Sequence, residues 1–138
     1  MAQTERIALL IDDDLVDRMR FHRALRESPI ESSVIPFSSG KDALKYLTVN
    51  PDANFDVLFL DISMPSMDGF EFLTNVSEQF RNRFSNVDIV MMSASEDPSI
   101  RLRALKHPLV GSFINKSFAS GAKLNLARHF TERTTIAA

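Results

Sequence analysis

The 138 residues carry 16 Lys and Arg against 18 Asp and Glu, a formal net charge of −2, with 44% hydrophobic and 25% charged residues. These are ordinary globular values for one domain over residues 1–138, long enough to bury about two-thirds of its unfolded surface, and they exclude disordered and fibrous classes. The charge balance argues against nucleic-acid binding, the absence of Cys removes disulfides and thiol chemistry, and no apolar run approaches a membrane span, so a cytoplasmic protein is expected.

The first apolar run, Ile7 to Ile11, ends in Asp12, Asp13 and Asp14. A short continuous apolar run bounded by polar residues reads as a strand buried on both faces. Leu15 to Arg26, without Gly or Pro, reads as a helix stopped by Ser28-Pro29, with Asp14 as its N-cap. Ser33 to Phe37 is a strand whose Pro36 demotes it toward a sheet edge. Ser38-Ser39-Gly40 opens a second helix that buries Ala43, Leu44 and Leu47 and ends at Asn50-Pro51. Val57 to Leu60 is the third strand, running straight into Asp61. A Pro- and Gly-containing loop leads to a third helix, predicted over 70–84 from Phe70, Leu73, Val76 and Phe80. Val87 to Met92 is a strand, Asp97-Pro98 starts a helix that ends before His107-Pro108, and Gly111 to Asn115 is the fifth strand. A last helix is expected over 120–132, giving a core of about 6–130 and a frayed tail at 133–138.

Five strands alternating with five helices imply a parallel sheet covered on both faces, with ligands outside the strand C-terminal ends. Those ends carry Asp12 and Asp13, Asp61, Ser93 and Lys116. Two carboxylates about 4 Å apart repel by roughly 4 kcal/mol at an effective dielectric of about 20. Packing does not reward that arrangement, whereas a divalent cation or chemistry on a carboxylate oxygen does. Magnesium takes one or two carboxylates plus waters and holds phosphate oxygens at the same time, so phosphoryl transfer fits the set.

The segments Leu10-Ile11-Asp12-Asp13, Leu60-Asp61 through Asp68-Gly69, Val90 to Ala94 and Phe113-Ile114-Asn115-Lys116 resemble the receiver domain of two-component response regulators, specifically a stand-alone, chemotaxis-type receiver. The resemblance runs from about Arg6 to His129 and implies a doubly wound, flavodoxin-like α/β sheet of order 2-1-3-4-5. It implies a Mg²⁺ site formed by Asp12, Asp13, Asp61 and the Ser63 carbonyl, phosphorylation of Asp61, and Ser93 and Lys116 assisting. Ser93 and Phe113 stand at the switch positions. On this reading the chain is no conventional enzyme but a phosphoacceptor switch that catalyses its own phosphorylation and dephosphorylation. The partners it implies are a sensor histidine kinase or histidine phosphotransfer protein as donor, and an output protein of unspecified identity. The output would bind the face of helix four, strand five and helix five, or take the phosphoryl group onward.

The family pattern is departed from in three respects. Ser117 replaces the proline that commonly follows the lysine, Phe113 carries no phenolic hydroxyl, and Ser63 and Ser95 are small at positions that tune phosphoryl lifetime. A non-proline cis bond costs about 2.5–4 kcal/mol, so a trans Lys116–Ser117 peptide is expected.

The rival enzyme reading is a Mg²⁺-dependent phosphatase with an aspartyl nucleophile, which would carry a second carboxylate where Ser63 stands. A flavin-binding module of the same topology would need a hydroxyl- and Gly-rich first loop, where Asp12-Asp13-Asp14 would repel a phosphate. His22, His107 and His129 lack metal-ligand spacing and read as surface residues. Met64, Met67, Met91 and Met92 read as packing. Arg18, Arg20, Arg23 and Arg26 read as a solvated helix face, with Asp17 and Glu27 as partners.

Overall fold

In the computed structural model, which describes residues 5–27 and 32–116, five parallel strands alternate with helices. They are β1 (Arg6–Ile11), α1 (Leu15–Arg26), β2 (Ser32–Phe37), α2 (Gly40–Val49), β3 (Val57–Asp61), α3 (Gly69–Gln79), β4 (Asp88–Ser93), α4 (Pro98–Lys106) and β5 (Ser112–Asn115). The strand order is β2-β1-β3-β4-β5, the doubly wound arrangement expected. Pro36, which has no N–H to give to a ladder, lies exposed on the edge strand β2. The segment over 120–132 and the tail at 133–138 lie outside the described residues. No described helix is long and apolar enough to cross a membrane.

The continuous apolar strands bury both faces of the sheet, as their sequence demands. On one face Leu9, Ile11, Leu58, Leu60, Ile89 and Met91 pack under α2, α3 and Ala104 of α4. On the other, Ala8, Leu10, Val57, Phe59, Val90, Met92 and Ile114 meet Phe21, Ala24 and Leu25 of α1. The Phe21 and Phe59 rings contact edge-on, with centroids 4.5 Å apart. Burying one such side chain contributes about 1.5–3 kcal/mol. The two cores therefore hold α1 and α3 firmly beside the strand ends.

Each described α-helix starts beyond the C-terminal end of a strand, where a polar side chain accepts one of its orphan N–H groups. Asp14 accepts from Asp17 N–H at 3.0 Å, Ser39 from Asp42 at 3.1 Å, Asp68 from Glu71 at 2.8 Å and Asp97 from Ser99 at 3.0 Å. Asp14 is thus the cap its sequence position suggested. Glu71 returns the favour by accepting from Asp68 N–H, which completes a capping box.

The third helix is shorter than its periodicity predicts. α3 ends at Gln79, Phe80 takes φ −134°, and Arg81–Phe84 forms a separate 3-10 turn. Neither Gly nor Pro causes the break. The tighter turn instead seats the Phe84 ring against Phe55, at 5.1 Å between centroids, and lets Arg83 donate to the carbonyls of Leu47, Asn50 and Ala53. These long-range contacts outweigh local helix propensity.

Between β3 and α3 the chain turns tightly back over the end of β3. Gly69 N–H donates to Ile62 O at 2.8 Å, and Ile62 N–H to Met92 O at 2.9 Å. A Cβ on Gly69 would lie 2.7 Å from the Asp61 carbonyl oxygen and 3.0 Å from Ile62 Cα, both backbone atoms with nowhere to go. Gly69→Ala should therefore destabilise the fold by about 1–3 kcal/mol, measured by urea unfolding. A loss below about 0.5 kcal/mol would show that the loop yields freely.

Candidate functional site

Side-chain alternation decides which polar strand ends meet. Leu10, Phe59 and Ile114 face α1. Two residues further on, Asp12, Asp61 and Lys116 continue that alternation and emerge on the same side. Ile11 pairs with Leu60, so the aspartates following them leave the sheet side by side, at the switch point between β1 and β3.

There the Lys116 ammonium meets three carboxylates. Its Nζ lies 2.7 Å from Asp12 Oδ2, 2.9 Å from Asp17 Oδ2 and 3.2 Å from Asp61 Oδ2. Asp12 and Asp61 are buried, and the Lys116 side chain is only 6% exposed. Burial, and next the Asp12 charge, push Asp61 up to about 7 despite the opposing pull of Lys116. Burial alone would depress Lys116, but hydrogen bonds to Asp12 and Asp17 and the charge on Asp61 outweigh it and raise the ammonium above its ordinary range. One cation is shared among several anions, and Asp61 is the anion least satisfied by it.

Asp12, Asp13 and Asp61 can present one oxygen each, all within 4.8 Å of one another. This all-oxygen donor set, with Asp13 exposed and so open to water, fits a hydrated hard cation such as Mg²⁺. Asp12 Oδ1 also accepts from Asp14 N–H at 3.0 Å, which fixes the carboxylate's rotation. Ser63 sits in the exposed loop two residues past Asp61.

The other expected residues lie on neighbouring strands, loops and helices. Ser93 is buried at the end of β4, one residue beyond the pairing partner of Asp61, and its Oγ accepts from Ser95 N–H at 3.0 Å. Lys116 N–H donates to Ser93 O at 2.8 Å, so the backbone bearing the ammonium is tied to the residue bearing the hydroxyl. Asn115 donates from its side chain to Ser95 O at 3.1 Å. Phe113 is half-buried against the α2 and α3 side of the core. Met91 and Met92 are core residues, while Met64 and Met67 pack partly buried on it. Ser117, and with it the Lys116–Ser117 peptide, lies outside the described residues, as does His129. His22 is exposed. His107 accepts from Leu109 N–H at 3.2 Å and is held below its ordinary pKa by burial. Neither histidine belongs to the acidic group.

Two contacts differ from the sequence reading. Asp17 is no partner of a solvated arginine face, because it grips Lys116. Arg18 donates to the Asp12 carbonyl at 2.7 Å, bracing the first acidic loop, while Arg20, Arg23 and Arg26 remain exposed. The available signal was position: Asp17 lies in the first turn of α1, three residues past the cap, on the helix that covers the face where Asp12, Asp61 and Lys116 emerge.

A doubly wound sheet with reactive carboxylates and an ammonium at its switch point defines a class of α/β domain that handles charged groups at its strand ends. This chain belongs to the response regulator receiver domain family, whose model matches residues 8–127. Its members are phosphoacceptor switches in two-component signalling. The chain is 34% identical over 98 residues to the two-component response regulator ORR3 of Oryza sativa subsp. indica, covering 71% of this chain and 70% of that protein. It is 27% identical over 113 residues to the sensor histidine kinase CheAY of Helicobacter pylori, covering 82% of this chain but 13% of the kinase. Among solved structures, a two-component response regulator from Cytophaga hutchinsonii superposes with a TM-score of 0.84 at 21% identity, covering 96% of this chain and 99% of that one.

The raised Asp61 pKa has a definite sign in the stability profile. The folded state binds the Asp61 proton more tightly than the unfolded chain, so this group's contribution is fully present below about pH 4 and is lost as pH rises through about 7. In metal-free buffer, wild type should lose stability relative to Asp61→Asn between pH 4 and pH 8, measured by thermal unfolding. Parallel profiles for the two proteins would place the strain elsewhere.

Proposed function

We propose that this chain works as one receiver unit in the cytoplasm, accepting a phosphoryl group on Asp61 from the phosphohistidine of a sensor kinase or phosphotransfer protein. Asp12, Asp13, Asp61 and the Ser63 carbonyl would hold Mg²⁺, which supplies the positive charge that keeps Asp61 ionised and neutralises the transferring group. An Asp61 carboxylate oxygen attacks phosphorus, the P–N bond breaks, and its electron pair stays on the donor imidazole. Lys116 and the Ser93 hydroxyl donate charge-assisted hydrogen bonds to the phosphoryl oxygens. Water attack at phosphorus later breaks the bond to the Asp61 oxygen, releasing inorganic phosphate with the water's protons to phosphate or solvent and restoring the carboxylate, so the chain catalyses both its own loading and its own reset.

The observation that carries this reading is the buried Asp61 beside Asp12 and Lys116, with Asp13 opening the set to solvent. A phosphoaspartate brings up to about two negative charges to a pocket whose ammonium is already shared. Drawing Ser93 and Lys116 toward that charge pulls on the ends of β4 and β5, because Lys116 N–H is bonded to Ser93 O. The loop into α4 and the face of α4 and β5 then carry the change to an output protein, or the group passes onward. Phe113 sits on β5 where such a shift repacks it.

Intact mass after incubation with Mg²⁺ and acetyl phosphate tests the assignment. Wild type should gain one base-labile phosphoryl group. Asp61→Asn should gain none at that position, and chelating the metal should abolish labelling of wild type. Full labelling of Asp61→Asn would remove Asp61 from the role.

A further inference from the structure

We infer that Asp17 is a positioning residue: it gives the Lys116 ammonium an anchor outside the metal-binding carboxylates and so sets how readily a divalent cation displaces that ammonium and enters. The inference rests on the Mg²⁺ site proposed above. The Lys116 Nζ is closest to Asp12 Oδ2, at 2.7 Å, while the other Asp12 oxygen already accepts from Asp14 N–H. Both oxygens of a carboxylate that would bind the cation are therefore in use. Lys116 also reaches Asp61 at 3.2 Å, so the ammonium contacts two of the three members of the acidic group.

A divalent cation placed among Asp12, Asp13 and Asp61 would face that ammonium across a few ångströms, and two positive charges at such range repel strongly in a buried pocket. The ammonium must then loosen its hold on Asp12 and Asp61, and a buried cation cannot be left without an anion. Asp17 is the carboxylate within reach that lies outside the acidic group. It contacts Nζ at 2.9 Å, and its side chain is 22% exposed, on the first turn of α1. Its backbone N–H is bonded to the Asp14 cap, so its place is fixed by the helix start. Asp17 thus gives Lys116 a second anchor, from which the ammonium can still meet a phosphoryl group.

Three variants separate this role from a plain charge effect. Asp14→Asn removes an equal charge from the same helix start, keeps the cap because Asn also caps, and has no contact with Lys116 among those described. Asp17→Asn should weaken Mg²⁺ binding by about tenfold, the scale of one charge-assisted hydrogen bond, whereas Asp14→Asn should weaken it by less than about threefold. Asp17→Glu, which restores a carboxylate, should recover most of the affinity. Binding is read by calorimetry with MgCl₂ alone. The half-saturating Mg²⁺ for acetyl phosphate labelling should rise in parallel in Asp17→Asn, with the rate at saturating Mg²⁺ within about twofold of wild type. Equal weakening in Asp17→Asn and Asp14→Asn, or no recovery in Asp17→Glu, would overturn the inference while leaving the metal site standing. Absence of Mg²⁺ binding by wild type would instead overturn the metal site, and this inference with it.

Discussion

One ammonium stands between this fold and the repulsion of its own carboxylates. Lys116 reaches Asp12, Asp17 and Asp61 together, and without it two buried aspartates would face each other in a pocket lined by apolar strands. Burial removes each charge from water at a cost of several kcal/mol, which the attraction outweighs at Lys116 but only partly offsets at Asp61. The raised Asp61 pKa records that deficit. The stability of the domain must therefore come from elsewhere, and it does: both sheet faces are closed by packed cores, and the described α-helix starts are capped by polar side chains.

That division of labour links packing to chemistry. Rigid strands deliver Asp12, Asp61 and Lys116 to one side of the sheet, and the back-folded loop at Gly69 leaves the Asp61 backbone little room to move. The charges, by contrast, stay under-compensated. Any cation or phosphoryl group that enters shifts the balance among groups already in contact, and Lys116 is bonded through its backbone to Ser93 at the end of the neighbouring strand. A change in local charge is converted into a pull on β4 and β5 because those strands carry the groups that answer it.

Much of this was legible in the chain. Three strand ends were marked by apolar runs stopping at Asp12, Asp61 and Ser93, since parallel strands buried on both faces have nowhere else to place polar residues; Lys116, at the end of the less apolar fifth strand, took its role from the family resemblance. The sheet order followed from the family resemblance, and Pro36 correctly marked an edge. The third helix was misjudged at its end because Phe80 and Phe84 continue a helical period, and only contacts with Phe55 and the α2 terminus reveal the break. Asp17 was misjudged for a different reason. Local spacing pairs it with arginines on its own helix, whereas its partner lies 99 residues away and is brought close by the crossover that lays α1 over β1 and β3. Parity along the strands, combined with the helix that covers that face, would have exposed it.

The most direct measurement of the central claim is the stability of Lys116→Met without metal at pH 8. If the shared ammonium is what makes the acidic pocket tolerable, the variant should lose about 3–5 kcal/mol of unfolding free energy, the scale of breaking a buried ion pair. The loss should shrink at pH 5, where Asp61 takes up a proton instead of standing as an uncompensated charge. A variant as stable as wild type at pH 8, or one whose deficit is the same at both pH values, would contradict the account.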